Sequence, residues 1–312
     1  MTRYLFRRLL ALIPVLLGVS ILVFLILHLT PGNPAEVVAG PDAPPETIAA
    51  IEKELGLDKP LYVQYFTWIS KVLRGDLGKS LRSKQPVAAE IRRTFPVTLQ
   101  LTVVALALAV IVSIPMGVVS AVRKDTWVDN LVRLLSFLGI SVPVFAVGLL
   151  LMWVFAYKLR WLPVSGFKPL TTVNGWVHII LPALTLGAPT VATVARLTRS
   201  SILETLTADY IRTARAKGLR GSAVVYRHAL RNALLPVVTV LGLQFGYLLG
   251  GAVVTETIFS IPGVGRLSVQ AIQTRDFPIV QGAVLVVAYA FVVINLLVDL
   301  LYTIIDPRIR YE

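Results

Sequence analysis

Six apolar windows divide the chain: residues 9–29, 97–118, 134–157, 177–197, 234–254 and 280–305. Each is long enough to cross about 30 Å of hydrocarbon as a helix rising about 1.5 Å per residue. The short alternating strands of a membrane β-barrel do not occur in this pattern. The expectation is an all-α polytopic membrane protein with six transmembrane helices. The first window follows Arg3, Arg7 and Arg8 and so imitates a secretory signal, but its apolar run is too long and no small-residue cleavage site follows it, so it reads as a retained span. This organises the chain as an N-terminal tail (1–8), a first span (9–29), an amphipathic segment (30–96), a core of five further spans (97–305) containing a polar loop (198–233), and a C-terminal tail (306–312).

Composition agrees with the windows. Of 312 residues 56% are hydrophobic and only 15% charged, with a mean hydropathy of +0.76, too apolar for a soluble fold of this length. Net charge then decides orientation. The two tails, the turn at 119–133 and the loop at 196–231 carry sixteen Lys/Arg, against five in the two short loops of the other side. The segment 30–96 has nine more but balances them with eight acids, and long segments weigh little in this rule. Both termini and the basic loop are therefore expected in the cytoplasm. The formal charge of +13 follows from that bias and from attraction to anionic headgroups. No aromatic platform or groove-reading motif accompanies it, so nucleic acid is not an expected partner. With no cysteine and three scattered histidines (His28, His178, His228), no disulfide framework, thiolate zinc site or histidine metal site is expected.

Within 30–96, PPETIAAIEKELG places Ile48, Ile51 and Leu55 at helical spacing with Gly56 as a stop. DKPLYVQYFTWISKVLRG starts with Pro60 in the first turn, stacks Tyr62, Phe66, Ile69 and Leu73 on one face and ends near Gly75. QPVAAEIRRTFP offers a third short helix. These helices are expected to pack on one another and on the span ends, as a structural lid or as a platform for an outside partner. GDLGKS (75–80) ends like a phosphate-binding loop, yet the required first glycine falls on Leu73 inside an amphipathic helix, so no nucleotide site is expected there.

The spans read as a pathway rather than a catalytic site. There is no H-E-x-x-H and no G-x-S-x-G, so the chain is not expected to be an enzyme. Polar residues at membrane depth are Gln100, Gln244, Asn295 and Asp299. Asn295 and Asp299 lie four apart on one helix face, where they meet either a cavity or a basic loop residue. Gly242, Gly246 and Gly250 also lie four apart and permit close backbone approach, within the chain or to another subunit.

The loop has a shape as well as a charge. Leu203, Leu206, Tyr210 and Ala214 form a helical face that Gly218 stops, and Ser222 is placed to cap a second helix running into span five. Asp209, Arg212, Thr213, Arg215, Lys217, Leu219 and Arg220 surround the turn, with the small residues Ala214, Ala216 and Gly218 allowing close approach to an acidic cleft.

DYIRTARAKGL followed by RHALRNALLPVVT closely resembles the cytoplasmic loop of ABC importer permeases of the dipeptide/oligopeptide/nickel branch. PGNPAEVVAG, LGLDKPLYVQY, GDLGKS, TETIFSIPGVGRL and the terminal DPRIRY resemble that family too, and the long segment after span one is similar to the first of its two homologous permease subunits. In the wider importer family a Glu-Ala-Ala pattern precedes the glycine. Here the corresponding slots hold Arg212, Thr213 and Ala214, and the downstream Leu-Pro slots hold Leu230 and Arg231, with Leu235-Pro236 lying later. Whether Asp209 takes the glutamate's place stays open.

The resemblance implies a type I importer permease fold. It also implies that the loop is a coupling helix seated on a cytoplasmic ATPase, and that this chain binds no cofactor itself, ATP and Mg being held by one or two ATPase subunits. The other implied partners are a second permease and an external solute-binding protein delivering peptide, a glutathione-like tripeptide or a nickel chelate. A second, smaller contact is expected at Arg123, Lys124 and Asp125, where Thr126 and Asp129 form a capping-box pattern; a plain basic hairpin is the alternative. The function class that competes with half an import channel is a self-sufficient secondary carrier or channel.

Overall fold

A computed structural model of the chain describes residues 2–29, 34–40 and 43–305. Among the described residues the regular structure is helical, apart from an isolated bridge between Lys79 and Pro86. The C-terminal tail and its DPRIRY motif lie outside them, as do the side chains of Arg3, Arg7 and Arg8. The chain forms two units, residues 1–98 with 262–293, and residues 99–261 with 294–312.

The first unit holds α1 (Thr2–Leu29), α2 (Pro34–Ala39), α3 (Pro45–Leu55), α4 (Leu61–Leu73), the start of α5 (Val87–Val122), α12 (Val264–Gln273) and most of α13 (Phe277–Ile305). Gly56 stops α3 as expected. At φ 70° it is left-handed, and its N–H and that of Leu57 reach the carbonyls of Lys53 and Glu52. Pro60 is the residue before α4 rather than part of its first turn. QPVAAEIRRTFP does not form a separate short helix, because Val87 and Ile91 bury against Ala271, Ile279 and Val280 and the chain runs on through Pro96 as one 36-residue helix. Gly282 makes this packing possible, since a Cβ there would stand 2.6 Å from Val87 Cγ1.

The GDLGKS loop has a structural role. Ser80 Oγ donates to Asp276 Oδ2, the Leu81 N–H donates to Asp276 Oδ1 at 3.1 Å, and the Ser83 N–H donates to Ser80 Oγ at 2.9 Å. Both Ser80 and Asp276 are buried. A carboxylate from the residue before α13 thus accepts from the serine that ends the motif and from the amide that follows it.

In the second unit α6 (Trp127–Ser141), α7 (Val144–Leu151) and α11 (Leu230–Ile258) pack around α8 (Val173–Thr205). Glycines set the spacing. A Cβ on Gly117 of α5 would lie 2.6 Å from Thr198 Cβ, and one on Gly139 of α6 would lie 2.9 Å from Ala192 Cβ. The third apolar window is not one straight helix: α6 and the α7 segment, which continues as π-helical turns over Met152–Lys158, meet at 112°. Pro143 is the cause. It holds Val142 extended at ψ 127° and leaves one carbonyl ladder broken. Among the described residues four helices, α5, α8, the stretch Gly221–Ile258 and α13, are long and apolar enough to cross a membrane, and the bent pair makes a fifth. The described apolar stretch of α1 is Leu10–Leu25.

Candidate functional site

The basic loop folds as a knuckle with a core of its own. After α8 ends at Thr205 the chain turns, and α9 (Asp209–Ala216) begins. The face expected to run from Leu203 to Ala214 is therefore shared by two helices. Ala216 is the last helical residue, and Lys217, at φ −77° and ψ 8°, caps it. Gly218 then takes φ 74°, its N–H donates to Arg215 O at 3.0 Å, and the Leu219 N–H donates to Ala214 O at 3.4 Å. This pair of bonds is the Schellman closure, and it requires the left-handed backbone that glycine adopts at no steric cost. Nothing lies within 4 Å of where a Gly218 Cβ would stand, so the demand on this position is conformational. The chain restarts as α10 (Gly221–Ala223), with Arg220 before its first residue, so Ser222 lies inside the first turn and does not cap it. A π-helical stretch, Val224–Ala229, leads into α11.

Ile211, Ala214, Val224 and Ala229 are buried against one another, with Leu206 packed beside them. Ala214 consequently belongs to the interior of the knuckle and not to a docking face. Asp209, Arg212, Thr213, Arg215, Lys217, Gly218, Leu219 and Arg220 are exposed. Asn232 Nδ2 donates to Tyr210 Oη at 2.8 Å, tying α9 to the start of α11. Asp209 and Arg212 approach at 3.4 Å, both exposed, a pair worth little in water. What the knuckle presents is a stiff, cationic apex of Arg212, Arg215, Lys217 and Arg220.

The knuckle is joined to the spans. Leu206 also packs against a second cluster of Val118, Ala121, Ile202 and Ala233, which joins the ends of α5 and α8 to the start of α11. Beside it lies the turn bearing Arg123, Lys124 and Asp125, all exposed. The expected capping box does not form. Thr126 Oγ1 donates to Arg123 O at 2.6 Å instead of capping α6, and Asp129 Oδ2 accepts from the Asp125 N–H at 3.0 Å. Asp129 is 0% exposed. Its carboxylate takes both prongs of the Arg199 guanidinium at 2.7 Å, from Nε and Nη2, together with Ser120 Oγ at 2.6 Å. This bidentate, fully bonded pair holds the α5–α6 turn to the last two turns of α8, directly before the knuckle.

The intramembrane residues are more dispersed. Gln100, Gln244 and Asn295 are half-buried, and Gln100 Oε1 has no hydrogen-bond partner among the described residues. The Asp299 side chain lies outside the described residues. Gly242 abuts Val298 of α13, Gly246 is buried, and Gly250 faces open space. The glycine row thus serves an intrachain contact at one end and leaves its other end free.

Sequence reasoning missed Asp129–Arg199 as a pair, Asp276 as the anchor of the GDLGKS loop, and Glu256, which is fully buried near the end of α11. The available signal was an acid on the first turn of one span and an arginine on the last turns of the next, both at the same side.

Residues 113–311 match the family described as binding-protein-dependent transport system inner membrane component, and residues 1–102 match its N-terminal membrane component. Over 312 residues, the full length of both chains in each case, this chain is 48% identical to the glutathione transport system permease protein GsiC of Salmonella paratyphi A. It is 50% identical to that of Pectobacterium atrosepticum and 47% to that of Escherichia coli K12 over the same span. Among solved structures, the MetNI methionine ABC transporter in its inward-facing conformation aligns with a TM-score of 0.56 at 17% identity, over 70% of this chain and 96% of that one. At that identity the likeness concerns the fold, which is that of a type I ABC importer permease.

Proposed function

Because the chain belongs to the family of binding-protein-dependent transport system inner membrane components, we infer that it lines half of an import pathway for short peptides and that the knuckle around Gly218 receives the motion of a separate ATPase. It is a permease subunit of an ABC importer, and the ATPase of such an importer is another chain. Membership sets aside the self-sufficient carrier.

On this reading the sixteen-to-five Lys/Arg bias puts the knuckle and both termini in the cytoplasm. Three kinds of partner follow: a second homologous permease completing the pathway, one or two ATPases holding ATP and Mg, and an external binding protein that selects the cargo. The names of the relatives support glutathione, or a di- or oligopeptide of similar size, as that cargo.

The observation that carries the coupling assignment is the knuckle itself. Four exposed cations ring an apex closed on its own core, and Leu206 continues that core into the ends of α5, α8 and α11. A load applied to the apex is thus carried by packed side chains into three spans.

The test is reversal of the apex charge. The double variant Arg215→Glu/Lys217→Glu is expected to insert normally but to lose co-purification with the ATPase, most at low ionic strength and with a smaller deficit against the wild type as salt rises, because exposed charges are screened beyond about 10 Å at 0.1 M salt. Gly218→Asn, which tolerates a left-handed backbone, is expected to keep it. Undiminished association of the double variant at all salt concentrations would refute the assignment.

A further inference from the structure

Helix α4 divides its surface three ways. One side faces α1: Tyr65 Oη and Ser20 Oγ are 2.8 Å apart, and the Phe24 ring lies 5.4 Å from that of Tyr65, edge-on, and 5.9 Å from that of Trp68. At about 100° per residue, Tyr62, Phe66, Ile69 and Leu73 form a separate stripe about 60° wide. Apart from Ile69, which is half-buried, that stripe does not pack on the neighbouring helices as its periodicity suggests. Tyr62 is 67% exposed, Phe66 65% and Leu73 80%. The remaining side is polar, with Thr67, Ser70, Lys71 and Arg74 exposed and Gln64 turned back so that its amide donates to the carbonyls of Leu57 and Lys59.

We propose that α4 lies in the outer leaflet of the bilayer, with the Tyr62–Phe66–Leu73 stripe immersed in lipid and the Lys71–Arg74 side at the headgroups. Depth is the first argument. Its α1 contacts, Ser20 and Phe24, precede Leu29, the last residue of the first apolar window, by nine and five residues, about 14 and 8 Å along a helix rising about 1.5 Å per residue. A helix held against α1 at that level sits at the boundary between acyl chains and headgroups, the depth of about 5–10 Å at which interfacial amphipathic helices bury their apolar side.

Continuity is the second argument. At the same level α1 turns Leu17, Ile21 and Leu22 outward, side chains that on a spanning helix meet acyl chains, so the stripe of α4 extends a surface already facing lipid. Composition is the third. Two tyrosines and a tryptophan on a short helix flanked by cations are the side chains that favour the membrane interface. Left in water, the same stripe would be a large uncovered apolar patch. The assignment concerns the membrane alone and stands apart from what the importer carries.

The chain has no cysteine, so single-cysteine variants need no altered background. Nitroxide labels at Phe66→Cys, Tyr62→Cys and Leu73→Cys, and at Thr67→Cys and Ser70→Cys for the polar side, are compared in the assembled importer reconstituted into phosphatidylethanolamine–phosphatidylglycerol vesicles. The expected result is an inversion between sequence neighbours: the label at residue 66 relaxed by oxygen and not by a water-soluble nickel chelate, the label at 67 the reverse. Residue 73, at the helix end, carries the same reading if an aromatic substitution prevents assembly. Equal nickel access at 66 and 67 puts the stripe in water and overturns the proposal. Immobile labels shielded from both reagents at 62, 66 and 73 mean that protein covers the stripe, a second copy or another subunit, and overturn it too.

Discussion

Arg199 reaches Asp129 with two nitrogens at 2.7 Å, and that carboxylate also accepts from Ser120 Oγ and from the Asp125 amide. With the acid fully buried, removing the arginine leaves an uncompensated charge, a loss of about 3–5 kcal/mol. Arg199→Ala is therefore expected to lower the unfolding temperature of the detergent-solubilised protein. Arg199→Lys should fall between the variant and the wild type, since it keeps the charge and loses the fork. Coincident melting of all three proteins would show that the pair contributes nothing. At Gly218 the demand is different in kind. The space around it is open and φ is 74°, so any β-carbon acts first by straining the turn, and a bulky residue there does not by itself report on a docking surface. For that reason the apex cations, not the glycine, carry the test of coupling.

Among the helices, α8 is the common surface, and small residues decide how near its neighbours come. A methyl group at Gly117 would stand 2.7 Å from Ala195 O and 2.6 Å from Thr198 Cβ, so Gly117→Ala is expected to destabilise by about 1–3 kcal/mol through overpacking. Gly250→Ala, inside α11 and in open space, should hold or slightly raise the thermal midpoint, since alanine favours a helix over glycine; equal effects of the two substitutions would argue against glycine-set spacing. This scale also explains which features were legible beforehand. The knuckle was, since its helix, its stop at Gly218 and its return are local patterns. The break at Pro143 was not, because a proline inside an apolar window is compatible with a kinked span as well as with a sharp corner. The stripe on α4 was legible as a stripe, but periodicity gives its width and not what it meets. Asp129 and Arg199 are separated by 70 positions, and no local pattern links them. The GDLGKS serine likewise finds Asp276 only once α13 is in place.

For the molecule as a whole, what matters is that the cationic apex, its small core and the cluster at the ends of α5, α8 and α11 are contiguous, with the Asp129–Arg199 pair tying in the α5–α6 turn. A permease subunit without ATP chemistry of its own needs such a connection, because the work is done on another chain. The most direct test of this account is uptake of labelled glutathione into vesicles containing this chain, its partner permease, the ATPase and the binding protein, with ATP inside or withheld. The account predicts accumulation only with ATP and the complete set, and its loss in the Arg215→Glu/Lys217→Glu variant. Accumulation by this chain alone, driven by an ion gradient and indifferent to ATP, would contradict it.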